Sequence, residues 1–278
     1  MKVTSVAIPL VVGVDGSESS LEAVDWAADE AERHDLPLLL VHAVTPDRGA
    51  ADLIGVATER ARRNAPSARL SGEVLRGDPA TALLGKGRNA FALVLGCRGR
   101  GDLAGLLLGS VSLAVAARAD CPVVVVRGRP AHRDLRFRSV VVGVEDGEGS
   151  GTAVEFALRE AHVRRCRLIA VHAWTVPFGG LSEPPPPAGY GAQPLRRPPA
   201  QVLDDALRGS AERYVNASVS RHVVEGPARQ ALLEAASDAD LLVVGARRRR
   251  GHLGLQLGLI NHALLHHAPC PIAVVPQM

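Results

Sequence analysis

The chain has 278 residues, 47% of them hydrophobic but only 3% aromatic, and carries a net charge of +3. That length argues for about two domains with ample core material, and the small charge argues against a nucleic-acid partner. Four cysteines with no CxxC pair exclude a disulfide framework and point to a reduced, cytoplasmic setting.

No apolar run reaches the roughly 18 residues that a membrane helix needs. The opening MKVTSVAIPLVVGVDG runs straight into a strand–turn pattern with no separate cleavage region, so it is not read as a signal peptide. Val-rich runs bounded by Gly and Pro then predict strands near 6–14, 37–44, 69–75, 91–96 and 122–127. Between them, helices are expected near 18–34, 51–64, 79–88 and 109–119. The first opens at Ser17, an N-cap residue type, with Ala23, Val24, Ala27 and Ala31 at helical spacing.

The charged stretch 127–139 is read as a solvated linker, after which the pattern starts again. VVGVDGSESS at 11–20 returns as VVGVEDGEGS at 141–150, and VHA at 41–43 returns at 171–173, both 130 positions on. LVLG at 93–96 and CPVVVV at 121–126 return at 242–245 and 270–275, now 149 positions on. The second copy has therefore gained 19 residues, which overlap a Pro/Gly-rich stretch at 178–199 read as a tolerated surface loop. The expected organisation is a first domain at 1–128, a linker at 129–138 and a second domain at 139–278, packed through their last strands.

Alternating strands and helices imply right-handed crossovers and a parallel sheet covered on both faces. Such sheets bind ligands at the carboxyl ends of strands where the strand order reverses, which puts interest on 13–17, 42–46 and 96–101. The stretch GCRGRGDLAGLLLGS at 96–110 offers three phosphate-loop readings. A P-loop fails, because the only Gly-Lys is Gly85-Lys86 and Gly87 follows where Ser or Thr is needed. Gly99 to Ala104 fits a dinucleotide fingerprint, but after the fourth strand rather than the first, and Asp120 precedes a strand rather than ending one. The third pattern is Gly96-x2-Gly99-x9-Gly109-Ser110. Glycines at 96 and 99 admit a ribose and phosphates close to the backbone, and Gly109-Ser110 opens a helix whose N–H groups suit phosphate oxygens.

On this motif, with VVGVDGS, VHAV and the closing CPVVVV, the chain resembles the universal stress proteins, as two tandem family domains. The resemblance implies two Rossmann-like α/β domains of the adenine nucleotide alpha hydrolase-like kind, each a five-stranded parallel sheet flanked by helices. It implies ATP binding, with or without Mg2+, by a stress-response regulator that pairs as a homodimer and acts through a regulatory protein partner. The site it implies comprises Gly13, Val14 and Asp15 at the first strand's end, Ala43 after the strand-end histidine, Leu95, Gly96 and Gly99, and Gly109, Ser110 and Val111. From the residues alone, Asp15 is also a turn or cap residue before Ser17. The stretch shows no general base, no phosphate-clamping lysine and no carboxylate set for magnesium, so it reads as a binding device. The alternatives are slow ATP hydrolysis or other adenine-nucleotide chemistry, and a non-nucleotide interaction module.

The second copy departs from the motif. GARRRRGHLGLQLGLIN at 245–261 keeps Gly245 and Gly258 but puts Arg248 and Leu259 where the first copy has Gly99 and Ser110. Glu145 aligns with Asp15. Elsewhere, Cys121 and Cys270 precede Pro at the start of buried strands and read as core. His42 and His172 are repeat-equivalent residues expected to hold hydrogen bonds within the fold. His262 and His266 share a helix face, but a four-ligand metal site lacks its remaining ligands there.

Overall fold

A computed structural model describes residues 8–44, 50–99, 108–147, 150–175, 197–211, 213–214, 217–247 and 257–277. In chain order the first half runs β1 (Leu10–Gly13), α1 (Glu18–Arg33), β2 (Leu38–Val44), α2 (Ala50–Asn64), β3 (Leu70–Arg76), α3 (Pro79–Gly87), β4 (Ala92–Gly96), α4 (Ser110–Arg118) and β5 (Val123–Val126). A short helix, α5 (Pro130–Arg133), leads to the second half: β6 (Ser139–Gly143), α6 (Gly151–Val163), β7 (Arg167–Trp174), α7 (Pro199–Ala211), β8 (Val219–Glu225), α8 (Ala228–Ala236), β9 (Leu241–Arg247), α9 (Leu259–His267) and β10 (Ile272–Gln277). The Pro/Gly-rich stretch lies outside the described residues except at its end.

The strands form one sheet in the order β3-β2-β1-β4-β5-β10-β9-β6-β7-β8. Every neighbouring pair is parallel except β5 and β10, which run antiparallel with Val124 opposite Ala273. The last strand of each half therefore becomes a central strand of the whole. This explains why both carry unbroken apolar runs: each is hydrogen-bonded on both edges and covered on both faces.

Two continuous cores follow from the pleat. On one face Leu10, Val12, Leu38 and Leu40 pack under Ala23, Ala27 and Ala31 of α1 and Ala57 and Ala61 of α2, and the layer continues into α6 and α7. On the other, Val11, Leu39 and Val41 pack under Leu83 of α3 and Val115 of α4, continuing into α8 and α9. Small alanines on α1 let it lie close to the sheet, and its Ser17 cap accepts from the Ser20 amide as the sequence predicts.

The connection between the halves differs from a solvated linker. His132 is 2% exposed, and its Nδ1 lies 2.7 Å from the Ala239 carbonyl oxygen. Asp240, fully buried, accepts from the amides of Phe137 and Ser139. The stretch is charged in composition, yet a few of its polar groups find buried partners on the second half. A composition argument averages those groups away.

Candidate functional site

In the order β2-β1-β4 the chain reverses direction of travel across the sheet at β1, and the crevice opens beyond the carboxyl ends of β1 and β4. Gly13 ends β1, and a Cβ there would stand 2.6 Å from Leu95 Cδ2, so these two positions touch across the pair of strands. Val14 follows, buried, with its amide donating to Val41 O at 2.8 Å. His42 Nδ1 lies 2.6 Å from Val14 O, which ties the end of β2 to the turn. Ala43, next along β2, stands opposite Leu75 of β3.

The turn after β1 is built around Asp15. Its Oδ1 accepts from the Ser17 amide at 2.9 Å and from the Ser17 hydroxyl at 2.6 Å, the cap geometry that the residue types alone suggest. Gly16 takes a left-handed φ of +81° to let the chain fold back. Beneath it, the buried Ser20 hydroxyl accepts from the Gly16 amide at 3.2 Å and donates to Ser17 O.

The motif's glycines close on that turn. A Cβ on Gly96 would collide with the Ser19 backbone at 2.5 Å, and one on Gly99 would stand 2.8 Å from Asp15 Oδ2. A Cβ on Gly109 would lie 3.6 Å from the Gly99 amide nitrogen, and the Gly109 amide donates to Cys97 O at 2.7 Å. Gly109 is the N-cap of α4 and has no side chain to cap it, so the first turn, with Ser110 exposed, presents its N–H groups outward. Val111 is half-buried against the core. Asp15, Gly96, Gly99 and Gly109 thus converge from residues almost a hundred positions apart. The intervening segment DLAGLLL, 102–108, is expected from the sequence to arch over this crevice; of it only Leu108, which is buried, falls among the described residues.

Three serines escaped the sequence reading. Ser112 Oγ donates to Gly96 O at 2.7 Å and anchors α4 to the end of β4. Ser19 Oγ accepts from the Arg98 amide at 3.2 Å and lies 3.5 Å from Cys97 Sγ. Ser20 is the third: it also accepts from the Asp15 amide at 3.4 Å, and its repeat partner Ser150 makes the equivalent contact with the Glu145 amide at 3.1 Å. The signal was available: Ser20 and Ser150 are 130 positions apart and both identical and buried.

The corresponding crevice of the second half is lined differently. His172 reproduces His42, with Nδ1 2.9 Å from Val144 O. Asn261 stands where the first half has Ser112 and donates to Gly245 O at 2.8 Å. Arg247 reaches back over the turn, with its guanidinium 3.5 Å from Glu145 Oε2 and donating to Asp146 O at 3.3 Å. The Gln277 side chain fills the place that a Cβ on Gly245 would take. Leu259, at the position of Ser110, is 91% exposed. Arg248–Arg250 lie outside the described residues.

The remaining singled-out residues fall into the core or the surface. Cys121 and Cys270 are buried as expected, and burial pushes their thiols up to about 11 and about 12. The His262 and His266 rings lie 4.6 Å apart on α9, and burial pushes His266 below its ordinary range. Among the described residues no helix is long and apolar enough to cross a membrane.

Comparison with known proteins agrees with the doubled architecture. A family model described as "Universal stress protein family" matches residues 9–127 and again residues 136–276. The chain is 32% identical over 294 residues to the universal stress protein Rv2623 of Mycobacterium tuberculosis strain H37Rv, covering 98% of this chain and 97% of that one. It is 35% identical over 295 residues to Rv2005c of the same strain, covering 96% and 97%. Among solved structures, a universal stress protein from Archaeoglobus fulgidus superposes with a TM-score of 0.70 at 17% identity, covering 97% of this chain and 98% of the other, a likeness of fold.

Proposed function

Since this chain belongs to the universal stress protein family, in tandem two-domain form, we propose that it is an ATP-binding regulator whose nucleotide occupies the crevice of the first half. The observation that carries this reading is the convergence of Asp15, Gly99 and Gly109 at the ends of β1 and β4. A Cβ at 99 would crowd the Asp15 carboxylate, whereas one at 109 would only touch the backbone facing it at ordinary contact distance. The uncapped turn at Ser110 and Val111 supplies N–H donors and the positive end of the α4 dipole to phosphate oxygens. Gly13, Val14, Ala43 and Leu95 would meet the base, Asp15 the ribose, and Gly96 and Gly99 the sugar–phosphate backbone. Magnesium would travel with the phosphates, because the Asp15 oxygen Oδ1 is engaged by Ser17.

The reading is of a switch that ATP biases toward one partner-binding state, since a ligand shifts an equilibrium only through its differential affinity for the two states. It includes a regulatory protein partner, a cytoplasmic setting and a homodimer. The homodimer would have to use surfaces other than the last strands, because β5 and β10 already pair with each other inside one chain.

The test is calorimetric titration of the full chain with ATP and with GTP. One ATP per chain is expected, with binding lost in the Gly99→Val, Ser110→Leu double variant. Equal affinity in wild type and variant would remove the site. Mass analysis of nucleotide co-purifying with the chain checks the same point without added ligand.

A further inference from the structure

The ends of α1 and α6 meet between the two halves and bury four ionisable side chains together. Glu30 and Glu160 are repeat-equivalent, and so are His34 and Arg164, each pair 130 positions apart. Arg164 donates through Nη2 to Glu30 Oε2, and through Nε to Glu160 Oε2 at 3.2 Å. His34 Nε2 lies 3.1 Å from Glu160 Oε1. The side chains of His34, Glu160, Arg164 and Glu30 are 6%, 1%, 1% and 2% exposed, so water does not screen them.

The surroundings are mostly apolar. Trp26 of α1 lies under the Arg164 guanidinium at 5.5 Å, and Phe91, ahead of β4, faces the His34 ring at 5.1 Å. Arg159 of α6 sits over the Phe91 ring at 5.5 Å, and Phe156 packs beside it. From the rim, Arg33 reaches Glu30 at 3.4 Å, but it is shared with Asp29 and partly exposed. The charged groups facing His34 are thus Glu30 and Arg33 on its own helix and Glu160, Arg164 and Arg159 from the other.

Within the buried set, two carboxylates face one permanent cation, Arg164. Burial pushes the Glu30 carboxyl above its ordinary range, so a proton there would also balance the set. A proton on His34 balances it while leaving both carboxylates charged toward Arg164, and a buried charge left uncompensated is strongly destabilising. Burial by itself would depress His34, but the close approach and charge of Glu160, with the charge of Glu30, outweigh it and hold the imidazole above its ordinary range. Burial likewise disfavours the Glu160 carboxylate, yet His34 and Arg164 together pull that carboxyl below its ordinary range. The ligand atoms of Glu30, His34 and Glu160 lie within 4.8 Å of one another, a spacing a metal ion also uses. Arg164 already supplies the positive charge among them and occupies one oxygen of each carboxylate, so the set is built for a proton rather than for a divalent cation.

We propose that His34 is a proton-operated latch between the two halves: protonated, it completes a neutral cluster that clamps α1 to α6, and deprotonated, it leaves a buried carboxylate uncompensated and loosens that contact. The sign follows from linkage. His34 sits above its unfolded value, so its contribution is fully present below about pH 6.5 and is lost as pH rises through its folded value. α1 also begins at Ser17, beside Asp15, so the latch and the candidate crevice stand at opposite ends of one helix.

The experiment compares the full wild-type chain with His34→Gln and His34→Arg from pH 5.5 to 9, by urea unfolding and by amide exchange, without added nucleotide. The wild type is expected to lose stability across this range relative to His34→Gln. The loss is about tenfold in the unfolding constant for each unit by which His34 is raised in the folded state. Exchange should accelerate with pH, beyond its intrinsic rise, in the last turns of α1 and α6. His34→Arg places a second permanent cation beside Glu160 and should hold the high-pH behaviour at the low-pH level. Should His34→Arg fail to fold, the difference between wild type and His34→Gln still decides. The proposal is overturned if His34→Gln keeps the full pH step, or if the accelerated exchange lies elsewhere. It is overturned equally if zinc stabilises wild type but not His34→Gln, which would make the cluster a metal site.

Discussion

Gly99 and Asp15 face each other across the crevice so closely that a Cβ on the glycine would stand 2.8 Å from Asp15 Oδ2. Gly99→Ala therefore displaces the Asp15 carboxylate from the position in which it holds Ser17. Because Gly99 is exposed, the cost falls on binding rather than on folding. ATP affinity should drop by about tenfold or more, which is about 1.4 kcal/mol, with little change in the urea midpoint. Gly85→Ala is the control, since a Cβ there meets nothing within 4 Å. That change, inside α3, should leave affinity alone and raise stability by about 0.5–1 kcal/mol. Parallel losses of affinity in both variants would sink the assignment of Gly99.

His42 and His172 make the same buried contact, each to the backbone oxygen just past the first strand of its half. Replacing either by Leu leaves that oxygen without a partner at a site 6–7% exposed. The expected cost is about 1–3 kcal/mol for each, measured by denaturant unfolding. His42→Leu should also weaken ATP binding, because Val14 leads directly into Asp15, whereas His172→Leu should not. Equal effects of the two on affinity would mean that the second half contributes to the same site.

Much of this organisation is legible in the sequence, for physical reasons that differ between elements. The Val runs at 123–126 and 140–142 mark strands buried on both faces, and the spacing of Ala23, Ala27 and Ala31 marks the face of α1 that lies on the sheet. Exact repetition of VVGV and VHA reveals the doubling, and the doubling predicts that His42 and His172 act alike. What the sequence hides is pairing across long separations. Nothing local shows that Glu30 meets Arg164, because each has an opposite charge three or four positions away, Arg33 and Glu160, as the residues of a surface helix do. The linker is misjudged for a related reason: its arginines are conspicuous, while the residues that fasten it, His132 and Asp240, are single buried polar groups whose partners lie about a hundred positions away. Ser112 reads as one more small residue in a helix until Gly96 O is seen above it.

Ser112 and Asn261 give a direct check on how the second half has diverged. Each bonds the carbonyl of the first motif glycine, Ser112 from a hydroxyl and Asn261 from an amide. Ser112→Ala and Asn261→Ala should each cost about 1 kcal/mol of stability, the worth of one such bond. The exchange Asn261→Ser should recover only part of its loss, because the hydroxyl is shorter than the amide it replaces. If Asn261→Ala proves neutral, the amide is dispensable and Gly245 O finds another donor.

Asp35 and Arg165 both follow a helix end in left-handed backbone, at φ of 49° and 51°. In each case the amide two residues past the cap returns to the helix: Leu36 bonds Ala31 O at 2.8 Å and Cys166 bonds Ala161 O at 3.0 Å. This is the turn that glycine ends best, because a Cβ in that conformation crowds the following carbonyl. Arg165→Gly should therefore stabilise the chain by about 1 kcal/mol, offset in part by the greater freedom of glycine when unfolded. For a chain of this size that is a rise of about 2 °C in Tm. The Arg165 carbonyl, which accepts from Arg138 Nη2 at 2.9 Å, is unaffected by the change. Asp35→Gly should gain similarly, because the contact it gives up with Arg69 is an exposed ion pair of small worth. Calorimetry on the two single variants decides the matter: a fall in Tm for Arg165→Gly would mean that the arginine side chain, rather than the backbone turn, holds the end of α6.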